Sequence, residues 1–300
     1  MINKLIASSI PILPKWFIKF FSKPYVAGET IEEVMGHIKT INDRGFAATV
    51  DILGEHVSDV NTSFEITTEY CQLYDRINQL SLDCNLSIKP THLGLELSLD
   101  TALKNFETVI NKAKENSNFL RLDMENSLYT DDTFTIYDYC KNIYPNVGVV
   151  LQAYLKRSIK DAETLARPGF SARICKGIYK ENPDIAYQNQ NEIRDNFLRL
   201  VEIMIQKKAY ACYATHDQHL IDRIIEIIKD RKLNTNQFEF QVLYGVPMAG
   251  RLEELAKNGY KVRVYVPFGS EWYEYSLRRL KENPNIVGYV LKNLFSKNTY

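Results

Sequence analysis

Charged and polar side chains stand at or just beyond the ends of eight short apolar segments of this sequence. They are Asp51, Glu55, Lys89, Asp123, Glu125, Gln152, Arg173, Lys176, Thr215, His216, Asp217, Gln241, Arg263 and Tyr265. An unpaired charge in a buried segment costs several kcal/mol, so most of these groups need a partner or a ligand. Their number predicts a ligand site in which cations and carboxylates face one another.

A pair of arginines follows the last apolar segment, in GSEWYEYSLRRLKENP. If this stretch is a helix, Tyr275 and Arg278 share one face, as do Arg278 and Glu282, whereas Arg279 points about 100° away. A guanidinium can hold a carboxylate by two parallel hydrogen bonds. Two arginines beside the predicted site therefore indicate a small acid as the substrate.

Several of these residues leave alternatives open. Lys89 and Lys176 are candidates for the Schiff-base lysine of a lyase acting on a small carboxylate, because a desolvated lysine loses its proton more easily. Each would serve equally as an ion-pair partner, and Asp51 could simply bridge adjacent strands. The five histidines show no HxH or HExxH spacing. We therefore predict no metal site.

The apolar segments recur at a regular interval along the chain. They cover residues 46–53, 86–89, 119–124, 147–154, 172–175, 210–215, 238–244 and 261–266. The interval averages about 31 residues, the length of one strand–helix unit. Between them, stretches such as 195–207 and 219–230 repeat apolar residues every three or four positions, which predicts amphipathic helices. The pattern predicts an α/β fold, a (βα)8 barrel of the TIM type.

Residues 1–45 precede the predicted barrel, which takes up residues 46–300. We predict an N-terminal helical segment there. Within residues 10–24, aromatic and basic side chains fall on adjacent strips of one helix: Trp16, Phe17, Phe20 and Phe21, with Lys15, Lys19 and Lys23. Such a helix packs on the main domain or lies on an anionic membrane. The second possibility allows a non-enzymatic barrel that binds membrane surfaces.

The composition excludes several classes of protein. Lys plus Arg and Asp plus Glu number 37 each, a net charge of zero that gives no reason to expect nucleic-acid binding. An apolar fraction of 45% excludes a disordered chain. The five cysteines form no CxxC pair, which favours a reducing cytoplasmic compartment, and Cys175 is predicted to be a core residue. No apolar run is long enough to span a membrane.

The strand ends also carry motifs that, taken together, resemble the proline dehydrogenases. The similarity starts at YVAGET, before the first predicted strand, and is built from eight motifs: FAATVDILGE, SIKPTHLGL, RLDMEN, LQAYLKRS, ARICKGIY, YATHD, FEFQVLYG and VRVYVPFGSEWYEYSLRR. One motif for each predicted strand, in order, makes the resemblance specific. The chain length is similar to that of the monofunctional bacterial form. The resemblance implies a distorted (βα)8 barrel with a C-terminal helix over the active site.

The resemblance also implies an activity and a location. The activity is oxidation of L-proline to Δ1-pyrroline-5-carboxylate, the first step of proline catabolism to glutamate. It requires noncovalently bound FAD and passes electrons to a membrane quinone. The implied location is the cytoplasm, with peripheral contact to the inner face of the cell membrane if residues 10–24 lie on it.

Roles for individual residues follow from the matched motifs. The resemblance assigns catalysis beside the flavin to Asp123 and Arg173, and the proline carboxylate to Lys89, Arg278 and Arg279. The ring would lie between Tyr265 and Tyr275, and Glu55 would pair with Arg278 to close the site. We expect Asp123 to orient and balance the cations, since nothing in the sequence requires a raised pKa there.

The remaining matched positions are expected to contact FAD. They are Met124, Gln152, Arg173, Lys176, Gly177, Ile178, Thr215 and His216. Ile178 stands where the family usually has Ala, next to the pocket. The size of the pocket and the preference among proline analogues are therefore expected to depend on Ile178.

Overall fold

Eight parallel strands close into a barrel in the computed structural model, which describes residues 24–273, 275 and 276. Each strand pairs with the next one in sequence, and the last pairs with the first over six positions from Ala47↔Arg263 to Ile52↔Phe268. The strands are β1 Ala47–Ile52, β2 Cys84–Ile88, β3 Leu120–Leu122, β4 Val147–Gln152, β5 Ser171–Cys175, β6 Tyr210–Ala214, β7 Phe238–Leu243 and β8 Val262–Phe268. The predicted (βα)8 barrel is confirmed.

Helices alternate with the strands and cover the outside of the barrel. They are α1 Ile31–Asp43, α2 Val60–Gln79, α3 Leu99–Glu115, α4 Thr130–Ile143, α5 Ser158–Leu165, α6 Gln190–Gln206, α7 Gln218–Asp230 and α8 Arg251–Lys257. The stretches predicted at 195–207 and 219–230 correspond to α6 and α7. Short 3-10 turns at Pro90–Leu93, Ser127–Tyr129 and Thr235–Gln237 complete the connections.

The inside of the barrel is filled by polar side chains, where barrels of this type usually pack branched hydrocarbon. Alternate residues of a strand point to opposite faces, and here the inward positions are charged or polar while their neighbours are apolar. The buried polar set includes Thr49, Asp51, Ser87, Arg121, Asp123, Arg173, Glu239, Gln241 and Arg263. The apolar residues between them join the helices in the hydrophobic core. The charged groups inside must therefore find their partners across the barrel.

The described part of the N-terminal stretch packs against the first and last strands. Helix α1 begins with a capping box between Thr30 and Glu33, and it buries Val34, Met35, Ile38 and Ile41. Just before it, Ala27 N–H donates to the carbonyl of Pro267 at 2.9 Å. Residues 10–23, predicted to form an amphipathic helix, lie outside the described residues. Among residues 24–273, 275 and 276, no helix is both long and apolar enough to cross a membrane.

Gly245 allows this N-terminal stretch to lie close to the loop after β7. Its φ is +80°, and a Cβ placed there would lie 1.8 Å from the carbonyl oxygen of Pro24. Gly259 has the same φ of +80° with nothing within 4 Å of such a Cβ. We predict that Gly259→Ala lowers the free energy of unfolding by about 1 kcal/mol through backbone strain alone.

Gly245→Ala adds a steric clash to the same strain, so we expect a loss of about 3 kcal/mol or more. Urea unfolding of the two variants measures the difference. Equal losses would show that the contact with Pro24 contributes nothing to stability.

Candidate active site

A cavity of about 710 Å³ lies at the carboxyl ends of the strands. In (βα)8 barrels this is the end at which active sites occur. All described residues to which the motifs assign a role line this one cavity: Glu55, Lys89, Asp123, Met124, Gln152, Arg173, Lys176, Gly177, Ile178, Thr215, His216, Tyr265 and Tyr275. Of the other polar residues named at the strand ends, Asp51, Asp217 and Gln241 line it too, whereas Glu125 and Arg263 do not. Arg278 and Arg279 lie outside the described residues.

A buried ion pair between Arg173 of β5 and Asp123, just after β3, forms the floor of the cavity. Arg173 Nη1 lies 2.6 Å from Asp123 Oδ1, which also accepts from Ser87 Oγ at 2.6 Å. Tyr265 donates its hydroxyl to Asp123 Oδ2 at 2.9 Å, and the Arg173 guanidinium lies over the Tyr265 ring. Burial raises the pKa of Asp123, but Arg173 and Lys89 outweigh it, so the pKa lies below its usual value. Asp123 is therefore a carboxylate that accepts hydrogen bonds.

A chain of hydrogen bonds continues from this pair toward the opposite end of the barrel. Arg173 Nε donates to Gln241 Oε1 at 2.6 Å, and Gln241 Nε2 donates to Glu239 Oε1 at 2.5 Å. The same Glu239 oxygen accepts from Arg263 Nε at 2.8 Å. Burial opposes ionisation of Glu239, but Arg263 more than offsets it and lowers the pKa to about 2. The guanidinium of Arg173 is thus connected through Gln241 to a second buried ion pair.

Lys89 at the end of β2 pairs with Asp51 of β1, with Nζ 2.6 Å from Oδ2. Burial disfavours the ammonium, but Asp51 and Asp123 outweigh it, so the pKa of Lys89 is raised. A Schiff-base lysine needs the opposite shift, so this environment does not support a Schiff base at Lys89. Asp51 Oδ1 is buried and has no hydrogen-bond partner among the described residues.

The opposite wall carries a second cation, Lys176. Its Nζ lies 2.6 Å from Asp217 Oδ2, and Arg194 of α6 reaches the same oxygen at 2.7 Å. Burial raises the pKa of Asp217, but hydrogen bonds from Arg194 and Lys176 outweigh it, and the pKa falls to about 2. Asp217 also caps α7 by accepting from His219 N–H. The wall is therefore anchored to the start of a helix.

Backbone geometry completes this wall at Gly177 and His216. Gly177 has a φ of +101°, and a Cβ there would lie 2.1 Å from the ring of Tyr154, so only glycine fits. Leu243 N–H donates to His216 Nε2 at 3.0 Å. Nε2 is thus an acceptor, which leaves the proton of a neutral imidazole on Nδ1. Within the described part of the chain, no three His, Cys, Asp or Glu side chains come together as a metal site.

The sequence was compared with known families and proteins. The family model described as proline dehydrogenase matches residues 34–290. Proline dehydrogenase 1 of Bacillus subtilis subsp. natto is 34% identical over 276 residues, which cover 92% of this chain and 91% of the relative. Proline dehydrogenase of Deinococcus radiodurans is 32% identical over 275 residues, covering 90% of this chain and 88% of the relative. The chain belongs to the proline dehydrogenase family.

The fold has a counterpart among solved structures. Proline utilization A from Bdellovibrio bacteriovorus, in a crystal structure of the form inactivated by N-propargylglycine, superposes with a TM-score of 0.81 at 22% identity. The match covers 93% of this chain and 34% of that one, so this chain spans about a third of the longer protein. The proline dehydrogenase resemblance and the TIM-type fold are thereby both confirmed, whereas the roles of individual residues remain predictions.

Glu125 connects three loops of this proline dehydrogenase pocket and was not assigned a role from the sequence. Its carboxylate accepts from Thr91 N–H at 2.9 Å and from the Thr91 hydroxyl at 2.5 Å. Its own carbonyl accepts from Gln152 Nε2 at 2.8 Å. Burial raises the pKa of Glu125 to about 7 against the opposing effect of these hydrogen bonds. Glu125 therefore fixes the loop that carries Lys89 relative to Gln152.

The structure corrects one prediction and adds several residues to the pocket. Cys175 was predicted to be a core residue, but it is half-buried and lines the cavity, because it is the last residue of β5 and faces inward. Asp51, Tyr179 and Gln241 also line the cavity. Asp51 and Gln241 are among the polar strand-end residues that the sequence analysis names, although the matched motifs give them no role. Nothing in the local sequence marks Tyr179.

We predict that Asp217 makes folding stability depend on acidic pH. Its folded pKa of about 2 lies below the ordinary value of 3.8, so its contribution is present above about pH 4 and is lost as the pH falls toward 2. With a discount for its partly exposed partners, the contribution is about 1–2 kcal/mol. Asp217→Asn keeps the helix cap but should remove this part of the pH dependence.

Denaturant unfolding between pH 2 and pH 6 measures this difference. Asp59→Asn is the matched control, because Asp59 caps α2 in the same way without a cationic partner at hydrogen-bond distance among the described residues. If Asp217→Asn and the wild type lose stability in parallel on acidification, the contacts of Asp217 with Lys176 and Arg194 do not make stability depend on pH.

Proposed function

We propose that this protein oxidises L-proline to Δ1-pyrroline-5-carboxylate with noncovalently bound FAD and passes the electrons to a membrane quinone. Membership of the family supports proline oxidation. The observation that carries the finer proposal is the cavity, whose volume of about 710 Å³ suits a drug-sized ligand and far exceeds the needs of proline alone. It offers a cationic group for a small acid at Lys89 and a separate cationic wall at Lys176.

The wall at Lys176 fits a large planar cofactor. Gly177 keeps the wall free of a side chain, and the buried hydroxyl of Tyr154 has no hydrogen-bond partner among the described residues. When bound, FAD supplies the acceptor for the hydride that leaves the carbon next to the ring nitrogen. Arg173 and Lys176 would stabilise the added negative charge. We assign contacts with FAD to Met124, Gln152, Arg173, Lys176, Gly177, Ile178, Thr215 and His216.

The substrate would be held by its carboxylate. Lys89 stays protonated beside Asp51, so it can donate to a carboxylate, and Arg278 and Arg279 would add two-pronged hydrogen bonds. Tyr265, fixed by its hydrogen bond to Asp123, and Tyr275 would wall the ring. This arrangement would orient the substrate for hydride loss.

Asp123 would orient Arg173 and balance the cations in this reaction. Its carboxylate accepts from Ser87, Arg173 and Tyr265. A lowered pKa makes it a poor base, so we do not assign it proton removal. Hydride loss requires a neutral substrate amine.

Glu55 would close the site by pairing with Arg278. Glu55 lies just past β1 and lines the mouth of the cavity, and β1 is the neighbour of β8, which precedes Arg278 in the chain. Closure would exclude water and complete the carboxylate clamp. A double-mutant cycle on proline binding with Glu55→Ala and Arg278→Ala tests the pair, and strictly additive losses would exclude it.

We also propose a cytoplasmic location with peripheral membrane contact through residues 10–24, whose basic and aromatic residues suit an anionic lipid surface. Such a contact would bring the cavity to the quinone. Flotation with anionic liposomes tests it, since a chain without residues 10–24 should then remain unbound while keeping its turnover with a soluble dye. Equal flotation would leave this segment with a packing role only.

We predict that the purified protein is yellow, that anaerobic proline bleaches it, and that an added quinone restores the colour. The double variant Lys89→Met with Asp51→Asn removes the carboxylate donor without leaving an unpaired charge. A lost charged hydrogen bond should raise the proline concentration needed for bleaching by on the order of 10- to 150-fold. The variant should still bind FAD.

Lys104→Met, at an exposed lysine on α3, is the matched control and should behave as the wild type. Stopped-flow absorbance measures the rate of bleaching by proline, the rate at which quinone restores the colour, and how the bleaching rate depends on proline concentration. A protein that contains flavin and is not bleached at saturating proline would contradict the proposed activity.

A further inference from the structure

Four cations and four carboxylates lie largely buried within the barrel or at the carboxyl ends of its strands. Three pairs account for six of them: Lys89 with Asp51 at 2.6 Å, Arg173 with Asp123 at 2.6 Å, and Arg263 with Glu239 at 2.8 Å. The remaining carboxylate is Glu125, which accepts hydrogen bonds from Thr91, and the remaining cation is Arg121 of β3, which is 3% exposed. Within residues 24–273, 275 and 276 it has no carboxylate oxygen at ion-pair distance. The guanidinium of Arg121 is therefore not ion-paired within this part of the chain.

The guanidinium of Arg121 is held in place by neutral groups only. Nη1 donates to the carbonyls of Val149 and Ser171 at 3.0 and 2.9 Å, and Nη2 donates to Ser171 Oγ at 3.0 Å and contacts Cys212 Sγ at 3.2 Å. Burial raises the pKa of Cys212 to about 12, so the sulfur is a thiol and cannot balance the charge. Burial also lowers the pKa of Arg121. These contacts fix the direction of the guanidinium and leave its charge unpaired.

The neighbouring strand makes room for this guanidinium. A Cβ at Gly148 of β4 would lie 2.3 Å from Arg121 Nη1, so any larger residue there would displace the arginine. Arg121 also lies over the ring of Phe119, with Cζ 4.7 Å from the ring centroid. The sequence thus accommodates a buried cation at a place where an apolar side chain would cost less.

Arg121 lines a second cavity of about 410 Å³ at the amino ends of the strands, which we call the basal cavity. It is separate from the proposed active site, because its walls include the first residues of β4, β5 and β6. Other basic residues in its lining are Lys208, Lys261 and Arg263, and its carboxylate is Glu239, which is already paired with Arg263. The lining therefore has a positive excess.

We propose that the basal cavity binds a small oxyanion, which supplies the counter-charge that Arg121 lacks. The shared chemistry is a compact group of negatively charged oxygens, as in inorganic phosphate or a small dicarboxylate. Four of the five N–H groups of Arg121 are used by the contacts above, and the Nε–H, which has no partner among the described residues, can donate one charged hydrogen bond to such a group. Lys208 and Lys261 both line the cavity and are both exposed, so both can contribute at its mouth. The site is independent of the proposed activity.

Isothermal titration of the FAD-loaded protein in the presence of saturating proline tests this proposal. Inorganic phosphate and succinate are the two arms, and sodium chloride at equal ionic strength is the reference. Arg121→Met should weaken binding about tenfold or more, since it removes a charged hydrogen-bond donor. The double variant Lys208→Gln with Lys261→Gln should weaken it about two- to tenfold.

Lys207→Gln with Lys257→Gln is the matched control, because both lysines are exposed near the same end of the barrel and neither lines the cavity. It should bind as the wild type. Tighter binding of phosphate or of succinate shows whether the site takes a phosphate group or a dicarboxylate. The proposal is wrong if neither anion binds more than chloride does, or if binding is unchanged in both cavity variants. Should Arg121→Met fail to fold, the Lys208 and Lys261 variant decides.

Discussion

The ion pair between Arg173 and Asp123 is the interaction on which the proposed active site depends. Both groups are buried, and a single buried charge without its partner would cost about 3–5 kcal/mol. The pair therefore joins β5 to the end of β3 across the barrel. Tyr265 and Ser87 satisfy the remaining acceptor positions of the carboxylate, and Gln241 satisfies the Nε of the guanidinium. The side-chain positions of Tyr265, Ser87 and Gln241 therefore depend on this ion pair.

The charged groups and the apolar contacts that stabilise the protein lie in two different regions of the barrel. The apolar contacts that stabilise the protein lie between strands and helices, where residues such as Val50, Leu122 and Ile174 are buried. The interior is then available for polar groups, arranged from Glu239 and Arg263 at one end to Lys89 and Asp51 at the other. A polar network in this setting is rigid only when its members are satisfied. Arg121 lacks such charge balance among the described residues.

Much of the fold and the residues of the pocket could be predicted from the sequence. The interval between apolar segments predicts the barrel, and carboxyl ends of parallel strands meet at one end, so polar residues there converge. Which of these polar side chains form hydrogen bonds or ion pairs with one another could not be predicted. Asp51 and Lys89 are 38 residues apart, and Thr91 and Glu125 are 34 apart, so their contacts depend on strand register. Cys175 was misjudged because an apolar segment does not reveal which face its last residue presents.

The most direct test of the central pair is a double-mutant cycle on flavin reduction by proline, using Asp123→Asn, Arg173→Gln and the double variant under anaerobic conditions. The half-buried pair of Arg157 and Asp161, 2.9 Å apart at the start of α5 and outside the cavity lining, provides the control cycle. If the pair acts as a unit, the loss in the double variant should be smaller than the product of the single losses by about tenfold or more. Losses that simply multiply, as expected for the control, would contradict the account.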